Sequence, residues 1–171
     1  MLERTMQCAH SVTESVTIVG SRSKFSGYGP VVEDIFKDCG PLGGIHAGLR
    51  NSETDLNLVL AVDLPGLTPE FLQFLLRSAV ESLAEQAVVA EYGGRWHPLC
   101  AVYRREFADA AENALKLRRF RIDALFTVLP TRKITQSELE SAGFGASLFR
   151  NVNTMQEFES AKSFPGLRHP S

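Results

Sequence analysis

Two aspartates occupy positions where a carboxylate can do chemistry. Asp63 follows Leu56-Asn57-Leu58-Val59-Leu60-Ala61-Val62, an almost wholly apolar run. A charge directly after such a buried strand emerges at the sheet edge where open α/β folds bind ligands. It suits magnesium, a hard cation that usually takes one or two carboxylates and leaves its other positions to water and substrate phosphates. Asp34 also follows a strand candidate, in Val31-Val32-Glu33-Asp34, and stands at the same edge if both strands run parallel. There it could reach a second metal position, a ribose or a base. A capping aspartate before Leu64-Pro65 and a solvated Glu33-Asp34 pair are the plainer alternatives. Only the pairing with Asp63 raises Asp34 above its own.

Other polar groups are candidates to hold the rest of a ligand. Gly40-Pro41-Leu42-Gly43-Gly44 lets backbone approach a ligand closely, and a helix starting after it would offer N–H groups to an anion. It is not a Walker loop, because no Gly-Lys-Ser/Thr follows and no Gly-x-Gly-x-x-Gly occurs; tight chain reversal explains it equally well. Arg118, Arg119 and Arg121 could clamp a phosphate by bidentate hydrogen bonds, or form a solvated basic face. His97, in Arg95-Trp96-His97-Pro98, precedes a strand and has no metal-ligand partner at local spacing. Asn151 and Asn153 place two amides on one side of an extended segment, which a helix-capping turn would also do.

These groups need elements to position them. Leu2, Met6, Ala9 and Val12 recur at helical spacing. Val16 to Val19 reads as a buried strand ending at Gly20-Ser21, and Val31-Val32 as a weaker one. The Gly40 to Gly44 cluster reads as a chain breaker, with a short helix from Ile45 to Arg50. The run from Leu56 to Val62 has the pattern of a strand covered on both faces. Thr68-Pro69-Glu70 begins a helix to about Leu83, with threonine capping and proline in the first turn. Ala87 to Ala90 and Pro98 to Tyr103 flank Gly93-Gly94 as an antiparallel pair. Arg105 to Leu117 is helical in period, Phe126 to Leu129 a strand, and Ser141 to Ala146 a loop. Thr154-x-x-Glu157 is a capping box opening a last helix.

Strands alternating with helices imply an α/β fold of three layers, a mostly parallel sheet with helices on both faces. At 171 residues the chain fits one domain, drawn over 1–163, with a flexible tail over 164–171. Its 18 basic and 20 acidic residues give a net charge of -2, which lacks the electrostatic footprint of a nucleic-acid binder. Three cysteines without Cys-x-x-Cys spacing favour neither a disulfide framework nor a zinc site. No apolar run approaches the roughly 20 residues a membrane helix needs, so a cytoplasmic protein is expected.

Taken in order, the segments resemble the molybdenum cofactor guanylyltransferase family. The likeness runs through Val31 to Asp34, Gly40-Pro41-Leu42-Gly43-Gly44-Ile45-His46-Ala47-Gly48-Leu49, Leu58 to Pro65, His97-Pro98-Leu99 and Asn151-Val152-Asn153-Thr154. It implies a nucleotide-diphospho-sugar-transferase-like fold and a Mg²⁺-dependent transfer of GMP from GTP to molybdopterin or its molybdenum form. Asp63 matches the family's metal-binding aspartate and Asp34 its nucleotide-contacting one. His97, Arg119, Asn151 and Asn153 fall where the family holds the pterin substrate. A cytidylyltransferase acting on the same cofactor is the nearest variant, and a non-catalytic pterin- or protein-binding module the alternative of another class.

The sequence departs from the family pattern in three places. Members open with a strand and a loop of the type Leu-Ala-Gly-Gly-x-Ser-x-Arg-Met-Gly-x-Asp-Lys, whereas Met1-Leu2-Glu3-Arg4 matches their first helix. The expectation is therefore a fold without its first strand, with open sheet edges that favour association with another chain, and catalysis that needs the missing loop. Gly20 stands where relatives carry a nucleotide-binding asparagine, and Met155 replaces their proline.

Overall fold

Alternating burial along two paired strands sets the layers. In the computed structural model, which describes residues 1–149, β4 (Ala87–Tyr92) and β5 (Arg95–Arg104) are antiparallel. Ala87, Val89, Ala101 and Tyr103 face one side, where they pack with Leu42, Ile45, Leu49, Phe107, Ala111 and Phe126. Val88, Ala90, Cys100 and Val102 face the other, with Phe71, Leu72, Leu75 and Leu139. The period of two thus feeds two separate cores, and the three-layer arrangement follows.

The helices divide accordingly. α3 (Gly40–Asn51), α5 (Phe107–Lys116) and α6 (Ile122–Phe126) cover the first face; α4 (Pro69–Glu81) and α7 (Gln136–Ser141) cover the second. Cys8 and Val12, in and just after α1 (Leu2–His10), add to the second face. No helix among the described residues is long and apolar enough to cross a membrane.

The sheet is mixed rather than mostly parallel in its pairing. The order is β3-β5-β4-β6, with β3 (Leu56–Leu60) and β4 antiparallel to β5, and only β4 and β6 (Thr131–Ile134) paired in parallel. β3, β4 and β6 therefore share one direction and β5 opposes them. A separate two-stranded parallel sheet joins β1 (Ile18–Val19) to β2 (Val31–Val32). Among the described residues β3 pairs with β5 alone, and all five of its residues are only half-buried. The continuous apolar pattern predicted a strand covered on both faces, and the open edge leaves it less so.

Three local expectations are corrected. The Gly40 to Gly44 cluster is no breaker but the first turns of α3, with Pro41 at the start where its missing N–H costs nothing. Its glycines serve close approach: a Cβ on Gly43 would lie 3.0 Å from the Phe36 carbonyl oxygen, and one on Gly48 would lie 3.3 Å from Val19. Phe126 to Leu129 is not a strand, since Phe126 ends α6 by packing into the core and the strand follows at Thr131. α7 was missed although its signal is in the sequence. Thr135 and Glu138 form a capping box in which each side chain bonds the other's backbone N–H, and Arg132 pairs with Glu138. Helix α7 occupies the stretch before the expected loop, which is left to the turn after Ser141 and a short 3-10 turn at Ala146–Phe149.

Two stability predictions follow from these contacts. Thr135→Ala should cost about 1 kcal/mol in urea denaturation, because an orphan N–H of α7 loses its acceptor. His46 is 1% exposed between α3 and α5; its Nε2 is 3.5 Å from Glu112 Oε2, but neither ring nitrogen makes a hydrogen bond among the described residues. Burial holds its pKa below the ordinary 6.5 despite Glu112, with Arg50 and Lys116 also facing it. The unfolded chain therefore takes the proton first, so stability should fall as pH drops below about 6.5. Urea midpoints at pH 7 and pH 5 should diverge, and His46→Leu should remove part of that difference.

Candidate functional site

The ladder between β3 and β5 delivers Asp63. Leu60 pairs with Cys100, and Ala61 N still donates to Leu99 O at 2.7 Å. The strand then ends in a turn that carries Asp63 past the sheet. The Asp63 side chain is half-buried and has neither a hydrogen bond nor an ion pair among the described residues. Its carboxylate is thus free to accept from, or coordinate, something outside the chain.

The turn itself is clamped. A Cβ on Gly66 would lie 2.2 Å from the Ser147 carbonyl oxygen and 2.8 Å from Leu148 Cα, so only glycine admits this crossing of backbones. Gly66 carried no signal beyond its place in Leu64-Pro65-Gly66, and sequence reasoning passed over it. The crossing ties the Asp63 turn to the 3-10 turn at Ala146–Phe149, whose Phe149 ring sits 4.2 Å from His97 and stacks on Tyr92 at 5.3 Å.

Asp34 lies just beyond β2, beside the amino end of α3. Its Oδ1 is buried without a hydrogen-bond partner among the described residues, and a Cβ on Gly44 would lie 3.7 Å from that oxygen. An orphaned buried carboxylate oxygen is costly to the fold alone. Its neighbour Glu33 is already used, accepting from Arg22 N at 2.9 Å. Gly20 follows β1, donates its N–H to Val32 O at 2.9 Å, and a Cβ there would press to 3.0 Å on the Phe25 ring. From β2 the chain runs through α3 to β3, so Asp34 and Asp63 each follow a strand joined to the other by that single crossover.

The remaining candidates divide between the faces of β5. His97 is half-buried on the face of Phe149, with Nε2 lacking a partner among the described residues; burial lowers its pKa, with Arg95 adding to the effect, so the ring is neutral at pH 7. Trp96, its neighbour, faces α6 instead, 5.1 Å from Phe126. Arg119 is exposed in the loop after α5, and of the basic cluster Arg121 is committed to Asp123. Asn151, Asn153, the Thr154 to Glu157 capping box and the tail lie outside the described residues. No cluster of three or more metal-ligating His, Cys, Asp or Glu side chains occurs among the described residues.

Known proteins resemble this chain along most of its length. Residues 1–129 match the MobA-like NTP transferase domain. A molybdenum cofactor guanylyltransferase of Syntrophotalea carbinolica is 30% identical over 138 residues, covering 80% of this chain and 65% of that protein. The chain thus spans slightly less than two thirds of that relative's length. One from Desulfosudis oleivorans is 29% identical over 165 residues, covering 95% of this chain and 81% of the relative. Among solved structures, a protein from Aquifex aeolicus superposes with a TM-score of 0.74 at 29% identity, over 90% of this chain and 78% of its own. The molybdopterin-guanine dinucleotide biosynthesis protein A of Archaeoglobus fulgidus superposes with a TM-score of 0.72 at 24% identity, over 85% and 75%, a likeness of fold.

Gly66→Ala should force the two backbones apart and cost about 1–3 kcal/mol in urea denaturation. The His97 imidazole resonances should move with it, because Phe149 is carried on the displaced segment. An unchanged spectrum would mean that the turn yields elsewhere.

Proposed function

The chain belongs to the MobA-like NTP transferase domain family, and from that premise we propose that it transfers GMP from GTP to the terminal phosphate of molybdopterin or its molybdenum form. The observation that carries this reading is the pair of uncommitted carboxylates. Asp63 has no partner among the described residues, and Asp34 keeps a buried oxygen without a donor. A buried carboxylate oxygen of purely structural role, such as Asp34 Oδ1, would be expected to have acquired a donor.

Both side chains fit a nucleotide with its metal. Asp63 would hold Mg²⁺, a hard-oxygen cation content with a single carboxylate. When bound, the ion neutralises charge that builds on the transferring phosphoryl group. Asp34 would accept from a hydroxyl or N–H of the guanosine, giving Oδ1 the donor it lacks. A terminal phosphate oxygen of the acceptor forms the new bond to the α-phosphorus while the bond to the bridging oxygen breaks, and pyrophosphate leaves with that electron pair. The nucleophile comes from the substrate, so the chain needs no activated serine or cysteine. His97 and Arg119, with Asn151 and Asn153, would contact the acceptor. His97 does so as a neutral group, able to donate or accept one hydrogen bond.

The test is turnover of GTP labelled at the α-phosphate, with Mg²⁺ and molybdopterin, by the chain alone and by the chain fused to a family-type glycine-rich loop. The fused protein should release pyrophosphate and label the pterin, with CTP a poorer donor. Asp63→Asn should lower that rate about 100-fold to 1,000-fold, the typical cost of removing one group that stabilises transition-state charge. No transfer by the fused protein, or an undiminished Asp63→Asn rate, would refute the assignment.

A further inference from the structure

Asp34 is carried by a stretch of chain with little to hold it. Between the end of β2 at Val32 and the start of α3 at Gly40 the backbone is neither helix nor strand. Among the described residues, no backbone–backbone hydrogen bond outside the helices and strands involves Glu33 to Asp38. Glu33, Ile35, Lys37 and Asp38 are exposed, which leaves Asp34 and Phe36 as the partly buried side chains of the run. On its β2 side the run is tied at Glu33, which accepts from Arg22 N. On its α3 side the anchor is Phe36.

Phe36 meets α3 twice. Its carbonyl oxygen lies 3.0 Å from where a Cβ on Gly43 would stand, and its ring makes an edge contact with His46, the centroids 5.2 Å apart and the planes at 69°. Gly44, between those two helix residues, faces Asp34 Oδ1. One turn of α3 thus receives the whole run from Asp34 to Phe36. His46 is a costly residue to place in that turn. It is 1% exposed with neither ring nitrogen hydrogen-bonded among the described residues, a penalty that an aliphatic side chain would not incur. The acid nearest to it, Glu112, is engaged by Lys116 and Arg50. The imidazole is therefore left to Phe36, and an edge contact between rings fixes angle as well as distance.

We propose that His46 is a positioning residue for the Asp34 carboxylate: through its edge contact with the Phe36 ring it fixes the segment between β2 and α3, and so sets where Asp34 meets the ligand that supplies the donor its Oδ1 lacks. On the nucleotidyl-transfer reading above, on which the identity of that ligand rests, His46 controls affinity for the nucleotide. It touches no substrate itself, and its effect is exerted wholly through Asp34.

Two measurements separate this role from the nucleotide reading. The first needs no ligand: Lys37 is exposed within the run, so the rate of tryptic cleavage after it, followed by mass spectrometry, reports how firmly the run is held. His46→Ala and Phe36→Ala should each speed that cut about three- to tenfold, the worth of one aromatic contact, and His46→Phe should restore the wild-type rate. Phe36 is only half-buried, so its variant keeps the test open should His46→Ala fail to fold. The second is GTP affinity with Mg²⁺, by equilibrium dialysis, for the 171-residue protein and for its loop fusion. His46→Ala and Phe36→Ala should each weaken GTP by a similar factor, but should have no further effect in an Asp34→Asn background, whereas a merely structural role would cost the same in both. Cleavage unchanged by Phe36→Ala, no rescue by His46→Phe, or equal losses of affinity in the two backgrounds overturns the proposal. Faster cleavage with rescue, in a protein that binds no GTP with or without the loop, upholds the hold on the Asp34 segment and defeats the nucleotide reading.

Discussion

The packing of α3 against two separate sheets is the constraint on which the site depends. Leu42, Ile45 and Leu49, all 0–2% exposed, fix the helix to the core beneath the four-stranded sheet. Gly44 and Gly48 bring it against Val19 of the two-stranded sheet, and Gly43 brings it against the Phe36 carbonyl. A side chain at Gly43 would push against the Phe36 backbone, and one at Gly48 against the Val19 side chain, by a few tenths of an ångström. The helix therefore does what a hydrogen-bond ladder cannot do here, since no strand among the described residues bridges β1 and β3. It holds Asp34 at the amino end of α3 while β3 carries Asp63 outward.

A second anchorage works at the level of the turn. The Gly66 crossing sets the Asp63 turn against the backbone of Ser147 and Leu148, and Phe149 then closes over His97 and Tyr92. Loops that carry functional groups are useful only when a rigid scaffold aims them. In this chain one crossing point aims the carboxylate and holds the turn that carries Phe149.

Charge plays a registering part. Glu112 gathers Lys116 and Arg50, which hold its carboxyl down to about 2, and so links α5 to α3 over His46. Exposed ion pairs of this kind contribute little free energy. Their effect is to fix the rotation of two helices whose buried faces consist largely of small and aliphatic residues.

Much of the arrangement was readable before any coordinates. The apolar run ending at Asp63, the capped start of α4 and the Gly93-Gly94 hairpin are local patterns, in which burial period and turn chemistry suffice, and the ordered segments around them pointed to the family. Even the capping box of α7 was written in Thr135 and Glu138. Other features were decided by tertiary structure alone. The glycines after Cys39 read as a breaker because helix propensity is local, whereas their use, close approach to Val19 and Phe36, depends on residues distant in sequence. Phe126, which alone could sit in a strand or a helix, meets Trp96, Tyr103 and Phe107, rings distant from it in sequence. The orphaned oxygen of Asp34 and the crossing at Gly66 likewise became visible only in the folded chain. A pattern along one segment records which face is buried, but not which distant backbone comes to lie against it.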